Sequence, residues 1–333
     1  MNISVLGAGS WGTALALQLC RANNDVLLWD RNPKRSAQMQ VERKNPRYLG
    51  SFVFPAALNA TSSLEEAVAH AELLVCVVPS QGMRSLLENM MPLLSPEIPI
   101  CCASKGIEQG TLMTMEEVFR DVLPVQFHAQ LSFLAGPSFA KEVAAGLPTT
   151  VVVASRFAEV AEQIASAFHA GKFRVYHTDD IIGAELGGAL KNVIAIACGV
   201  ADGCHLGLNA RAGLMTRGLA EITRLAVKRG ANPLTLSGLA GMGDLVLTCT
   251  GNLSRNRRVG IGLGEGRSLP EILLDLGEVA EGVITTRSAW ELARKENIDM
   301  PITEQIYSLL YEDKTPHAAL QDLFNRERRA ERG

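Results

Sequence analysis

Residues 2–23 read NISVLGAGSWGTALALQLCRAN. Asn2 to Leu6 is a short apolar run with the character of a strand, and the residues from Thr13 onward have that of a helix. Between them stands Gly7-Ala8-Gly9-Ser10-Trp11-Gly12. A GxGxxG pattern carries little information in a chain with 30 glycines. Strand, glycine turn and helix in immediate succession carry much more, and specify a dinucleotide-binding βα unit. Gly7 makes the tight turn, Gly9 lets the backbone approach a pyrophosphate, and Gly12 lets the helix pack on the strand. The phosphates would then face the free N–H groups at the helix start. The alternative is a tight turn with no ligand.

The next apolar run, Asp25 to Asp30 (DVLLWD), predicts a second strand ending where a dinucleotide's adenosine ribose lies. An acid there accepts hydrogen bonds from ribose hydroxyls and favours NAD, whereas an arginine pairs with the extra phosphate of NADP. Asp30 is followed by Arg31, so the cofactor choice stays open. Asn32 and Pro33 suit an N-cap and a first helical residue, and start a polar surface segment through about Lys44. Ser63 and Glu66 are spaced as a capping box, residues 73–78 (LLVCVV) form an apolar strand, and Pro79 ends it. Ile98 to Ser104, Leu131 to Ala135, Thr149 to Ser155 and Phe173 to Thr178 continue the strands, with a helix expected over Phe157 to His169. Continuous apolar strands between helices imply a parallel sheet covered on both faces. No strand pattern follows residue 178. The expected fold is α/β, a Rossmann-type doubly wound N-terminal domain (1–178) followed by an all-α C-terminal domain (179–333).

A chain of 333 residues has ample length for two cores, and its 47% hydrophobic and 20% charged content fits a soluble α/β protein. The net charge of −3 argues against a nucleic-acid surface. Arg326 to Arg332 (RERRAER) is interrupted by glutamates and reads as a solvated terminal helix face. No apolar run reaches the length of a membrane span, about 18 residues, without Gly, Asn or charge breaking it, and no secretory signal precedes the first strand. The seven cysteines sit mostly in apolar segments with no CxxC and no metal-ligand spacing, as in a reduced cytoplasmic protein.

One charge stands out. Ala184 to Gly203 (AELGGALKNVIAIACGVADG) is apolar nearly all round, yet holds Lys191 near its middle. A buried ammonium needs a partner, a lowered pKa or an opening to solvent. A lysine whose stem lies along the helix and whose head reaches water is the plainer reading. Gly187 and Gly188, one turn earlier, weaken the helix but admit another backbone or a ligand, and mark Lys191 as a site residue. Lys105 falls at the carboxyl end of a strand, where ligands of open α/β sheets bind, but would serve equally as a solvated loop lysine. Gly136-Pro137-Ser138-Phe139-Ala140 repeats the strand, turn and helix order. Asn209 is expected to cap a long amphipathic helix ending near Arg229. Residues 237–266 are too rich in glycine and polar side chains to be core throughout. Within them Ser254-Arg255-Asn256 suits a phosphate monoester, though Arg255 to Arg258 would serve equally as a solvated loop, and Asp244 could orient a lysine or simply cap a helix. Ser268 to Glu271 is a second capping box, and 278–282 is a turn before helices at about 283–296 and 302–311.

With Gly7–Gly12, Lys105-Gly106, Gly136–Ala140, Lys191-Asn192, Gly241–Thr248 and Ser254–Asn256 in order, the whole chain resembles the bacterial NAD(P)-dependent glycerol-3-phosphate dehydrogenases. The resemblance implies a cytoplasmic homodimer that interconverts dihydroxyacetone phosphate and sn-glycerol 3-phosphate and feeds phospholipid synthesis. It implies Lys191 as proton donor and acceptor, and Lys105 touching both substrate and cofactor. Gly136, Ser138, Asp244, Ser254, Arg255 and Asn256 would surround the substrate. Ser10, Trp11, Arg31, Ala140, Arg255, Val279 and Glu281 would contact NAD(P)H. Asp30 departs from the family, where a small neutral residue more often precedes the arginine, and speaks against a strong NADP preference.

The mechanism so implied is hydride transfer to a carbonyl carbon with Lys191 protonating the oxygen. A lysine of ordinary pKa is a poor base at neutral pH, so burial and a neighbouring cation, Lys105, are expected to depress it. Two rivals stand beside this reading. One is a β-hydroxyacid dehydrogenase of the same layout, and the other is a non-catalytic NAD(H) sensor, which would need neither the interior lysine nor the Ser-Arg-Asn cluster.

Overall fold

The apolar runs of the first half pair into one eight-stranded sheet: β1 (Asn2–Leu6), β2 (Asp25–Trp29), β3 (Leu58–Thr61), β4 (Leu73–Cys76), β5 (Ile100–Cys102), β6 (Leu131–Ala135), β7 (Thr149–Ala154) and β8 (Phe173–Thr178). The computed structural model describes residues 1–327, 330 and 331. The spatial order is β3-β2-β1-β4-β5-β6-β7-β8, in which the first six strands follow the doubly wound pattern. Its direction reverses beside β1, so the carboxyl ends of β1 and β4 open the crevice in which such folds bind ligands. The helices α1 (Ser10–Arg21), α2 (Pro33–Glu42), α3 (Leu64–His70), α4 (Met83–Met90), α5 (Met115–Val122), α6 (Ala140–Ala144) and α7 (Ala158–Phe168) cover the sheet. Two apolar cores result, one containing Leu15, Leu28, Val75 and Ile164, the other Leu74, Met83, Phe119 and Phe133.

Three expectations need correction here. The sheet is mixed, because β7 pairs antiparallel with β6 and β8 follows β7 in parallel. Strand β3 was not expected, since Asn59 and Thr61 interrupt its apolar pattern on the sheet's edge. The Ser63 capping box is half formed. Ser63 Oγ accepts the Glu66 N–H at 3.0 Å, while the Glu66 carboxylate turns instead to the Thr61 hydroxyl, whose oxygen already holds the Ser63 N–H at 3.1 Å.

The second half is helical: α8 (Ile181–Gly203), α9 (Gly207–Lys228), α10 (Pro233–Ser237), α11 (Asp244–Thr250), α12 (Arg255–Gly264), α13 (Leu269–Leu276), α14 (Glu281–Lys295), α15 (Pro301–Tyr311) and α16 (Pro316–Phe324). α8 is its axis, with Val193, Ile194, Ile196 and Cys198 wholly buried. By length and composition alone α8 could cross a membrane, contrary to expectation, but 89% of its most apolar window is buried in protein. Its glycines explain how the neighbouring helix comes so close. A Cβ on Gly199 would stand 2.1 Å from the Arg257 carbonyl oxygen and 2.9 Å from Gly260 Cα, and one on Gly203 would stand 3.0 Å from Gly264 Cα. Backbones touch along this seam, so the glycine-rich segment 237–266, expected not to be core throughout, still contributes helix contacts to the interior.

Asn209 does not cap α9. With His205 in the left-handed region (φ 56°), the chain turns early and the helix starts at Gly207, leaving Asn209 in the first turn. Ser268 and Glu271 do form the full capping box on α13. Among the described residues the basic run begins outside a helix, since α16 ends at Phe324 and Arg326 pairs with Asp299 at 2.6 Å. Arg328, Arg329 and Arg332 lie outside the described residues.

Candidate active site

The βα turn has the tight backbone and the open helix start that suit an anion. Gly7 sits at φ +127°, and a Cβ on it would meet the Val77 carbonyl at 2.7 Å, while one on Gly12 would strike the Gly7 oxygen at 1.8 Å. Gly9, by contrast, has nothing within 4 Å of where a Cβ would stand, and no side chain caps α1. The helix therefore presents open space and free amides to an anion. Trp11 Nε1 donates to the Ala103 carbonyl at 3.1 Å, which lays its ring beside the end of β5. Ala140 opens α6 and packs half-buried against the same core as Trp11.

Beyond that edge two lysines meet one carboxylate. Lys191 Nζ donates to Asp244 Oδ1 at 2.6 Å, and Lys105 Nζ donates to Asp244 Oδ2 at 2.6 Å. Asp244 is 1% exposed, so its charge depends on these partners. It enters at the start of α11 from a π-helical turn, Leu239–Gly243, an irregularity common at functional sites. Lys191 donates also to Thr248 Oγ1 at 2.7 Å, whose hydroxyl donates to the Asp244 backbone oxygen at 2.6 Å. Lys105 donates also to the Gly136 carbonyl at 3.1 Å, which accepts the Ser138 hydroxyl at 3.0 Å. Gly136 is held at φ +112°, against Val151 Cα.

The glycines ahead of Lys191 act as the sequence suggests. Gly187 faces the Ala240 and Gly241 backbone, where a Cβ would come within 2.7 Å of an oxygen, and Gly188 faces the Lys105 stem at 3.5 Å. Lys191 itself is 8% exposed. Burial pulls its ammonium from the ordinary 10.5 down to about 8, Asp244 pushes the other way, and Lys105 adds to the lowering. Such a lysine can hold or release a proton near neutral pH.

The remaining residues form a rim. Ser254 caps α12 by accepting the Arg257 N–H at 3.2 Å. Asn256 Nδ2 donates to Asn192 Oδ1 at 2.9 Å, and its Oδ1 accepts the Gly282 N–H at 3.0 Å, which ties α12 to the residue beside Lys191. Arg255 pairs with Glu278 at 3.0 Å, and the same Glu278 oxygen accepts the Ser10 hydroxyl at 3.1 Å. Glu281 accepts the Ser80 hydroxyl at 2.9 Å, and Val279 beside it is half-exposed. Arg31 lies apart, exposed just past β2. Sequence reasoning missed Thr248, whose signal is its spacing of one helical turn from Asp244. It missed Ser80 and Glu278 too, whose partners stand 201 and 268 positions away and leave no local signal.

A doubly wound sheet whose carboxyl edge faces a buried lysine on a helical domain defines a class, the two-domain dehydrogenases that use a nicotinamide dinucleotide. Family models described as the N-terminus and the C-terminus of NAD-dependent glycerol-3-phosphate dehydrogenase match residues 2–161 and 180–321. The chain is 53% identical over 332 residues to glycerol-3-phosphate dehydrogenase (NAD(P)+) of Geobacter metallireducens, covering 100% of this chain and 99% of the relative. It is 52% identical over 331 residues to the protein of that name in Anaeromyxobacter dehalogenans, covering 99% and 100%. The crystal structure of glycerol-3-phosphate dehydrogenase from Coxiella burnetii superposes with a TM-score of 0.93 at 43% identity, covering 97% of this chain and 98% of that one. The chain belongs to the family of NAD-dependent glycerol-3-phosphate dehydrogenases.

Proposed function

We propose that this protein reduces dihydroxyacetone phosphate reversibly to sn-glycerol 3-phosphate, with Lys191 as the acid and base. The observation that carries the role is the buried Lys191 ammonium, held between Asp244 and Thr248 and lowered to about 8. When bound, the nicotinamide supplies the hydride. Lys191 holds a proton at Nζ and delivers it to the carbonyl oxygen as negative charge develops there. Asp244 and Thr248 fix the direction of that proton, and Lys105 disfavours its return. Arg255, with Ser254, Asn256 and the Gly136–Ser138 turn, grips the substrate's phosphate end and so orients the reacting carbon. Ser10, Trp11, Arg31, Lys105, Ala140, Arg255, Val279 and Glu281 line the dinucleotide, over the Gly7, Gly9 and Gly12 turn.

We assign residues 1–178 to the dinucleotide domain and 179–333 to the helical substrate domain, and place the protein as a homodimer in the cytoplasm, supplying phospholipid synthesis. The test is loss of NADH or NADPH absorbance on adding dihydroxyacetone phosphate, beside Lys191→Ala. Turnover should fall by orders of magnitude in that variant while cofactor binding persists. Near-normal turnover would remove Lys191 from the chemistry, and turnover of β-hydroxyacids in place of the phosphate ester would remove the substrate assignment.

A further inference from the structure

Asp30 directly follows β2, where an acid conventionally accepts the ribose 2′-hydroxyl of NAD and would repel the 2′-phosphate of NADP. The acid is not available for either task. Arg35, in the first turn of α2, closes a two-pronged pair on it, with Nε donating to Oδ2 at 2.9 Å and Nη2 donating to Oδ1 at 2.7 Å. Asp30 Oδ1 accepts the Asn32 N–H as well, at 2.8 Å. Both oxygens are engaged and the residue is only 4% exposed. Asn32 also caps α2 by accepting the Arg35 N–H at 3.1 Å, so one local turn holds the acid, the cap and the guanidinium together. Arg31 and Lys34 meanwhile stand exposed on the same turn. With the acid neutralised inside the turn, what this end of the fold offers a ligand is cationic.

We infer that Arg35 is a specificity-determining residue, which by occupying Asp30 makes the ribose end of the site accept NADPH. Arg35 itself touches no cofactor in this scheme. It acts through Asp30 and leaves the direct contact to Arg31. Without it, Asp30 becomes an unpaired carboxylate beside the 2′-phosphate and a free acceptor for the 2′-hydroxyl. The inference rests on the dinucleotide-binding part of the proposed function.

The test is direct titration of NADPH and NADH fluorescence on the full-length protein, in the native form, Arg35→Gln, and the double variant Asp30→Asn with Arg35→Gln. The expected result is that the NADPH Kd rises about tenfold or more in Arg35→Gln through like-charge repulsion, while the NADH Kd stays level or falls. The double variant should return the NADPH Kd toward the native value, because the offending charge is gone. Equal weakening of both cofactors, no change in either, or failure of the double variant to restore NADPH would each overturn the inference. Binding is read without substrate, so an inactive protein with this pattern would sink only the substrate assignment, and an active one lacking it only the role of Arg35.

Discussion

The proposed role of Lys191 rests on opposing influences that leave it near the middle of its titration. Reduction of the ketone needs the ammonium, and oxidation of the alcohol needs the free amine. From a pKa of about 8, kcat/KM for reduction should fall as pH rises above that value, while kcat/KM for oxidation rises through it to a plateau. Lys105→Gln removes a cation that lowers Lys191 and leaves Asp244 to Lys191 alone, so both profiles should shift to higher pH. Profiles unmoved by the loss of Lys105 would mean that another group titrates. Lys191 was legible in the sequence because a charge inside an apolar helix is conspicuous. Thr248 was not, because a hydroxyl on a helix is common and only the fold shows that it faces Lys191. Arg35 was hidden differently. Both it and Asp30 are local, but the sequence set Asp30 and Arg31 side by side as rival cofactor contacts and did not show that the turn folds the later arginine back onto the acid.

Among the elements, the seam of α8 and α12 has little slack. Gly199→Ala puts a methyl 2.1 Å from the Arg257 oxygen, so the helices must part or bend. The expected cost is about 1–3 kcal/mol, visible as a lower midpoint in urea. Because α12 begins at Arg255, beside the expected phosphate grip, KM for dihydroxyacetone phosphate should rise as well. An unchanged midpoint would show that the close approach is not needed. This seam was only half legible. The glycines were plain, but glycine alone does not separate a loop from a tight helix crossing, and the polar residues between them favoured the loop. Strand β3 was missed for a related reason, because only four residues long and half polar, it has no periodicity to find. The reversal at β7 left no trace in the pattern, since an apolar strand reads alike in either direction.

At the scale of the molecule, the dinucleotide half and the helical half are joined both at the candidate site and away from it. Lys105 and Asp244 meet at 2.6 Å, Ser80 and Glu281 at 2.9 Å, Glu278 bridges Ser10 and Arg255, and Arg229 pairs with Glu117. Calorimetry should therefore show one unfolding transition, which NADH at a hundred times its Kd stabilises by about 2.7 kcal/mol. Two transitions, with only one moved by NADH, would show that the halves melt separately. The two-part layout was the most legible feature of all, because the strand patterns stop at one place in the chain and helical patterns alone follow it. The contacts across it were not, as they join residues far apart in sequence.

The reversal at β7 has a consequence for where Lys191 stands. Because β7 and β8 run against the first six strands, the chain leaves β8 at the end of the sheet remote from the crevice. α8 must climb back past β6 before it can reach Asp244. Lys191 is the eleventh residue of that climb, which puts it about 15 Å along the helix at 1.5 Å per residue. α8 is thus a measuring rod with the sheet as its zero. One residue inserted between 181 and 190 would raise the amine by about 1.5 Å and swing it by about 100°, away from Asp244. The length of this stretch is as much a part of the site as the lysine it carries.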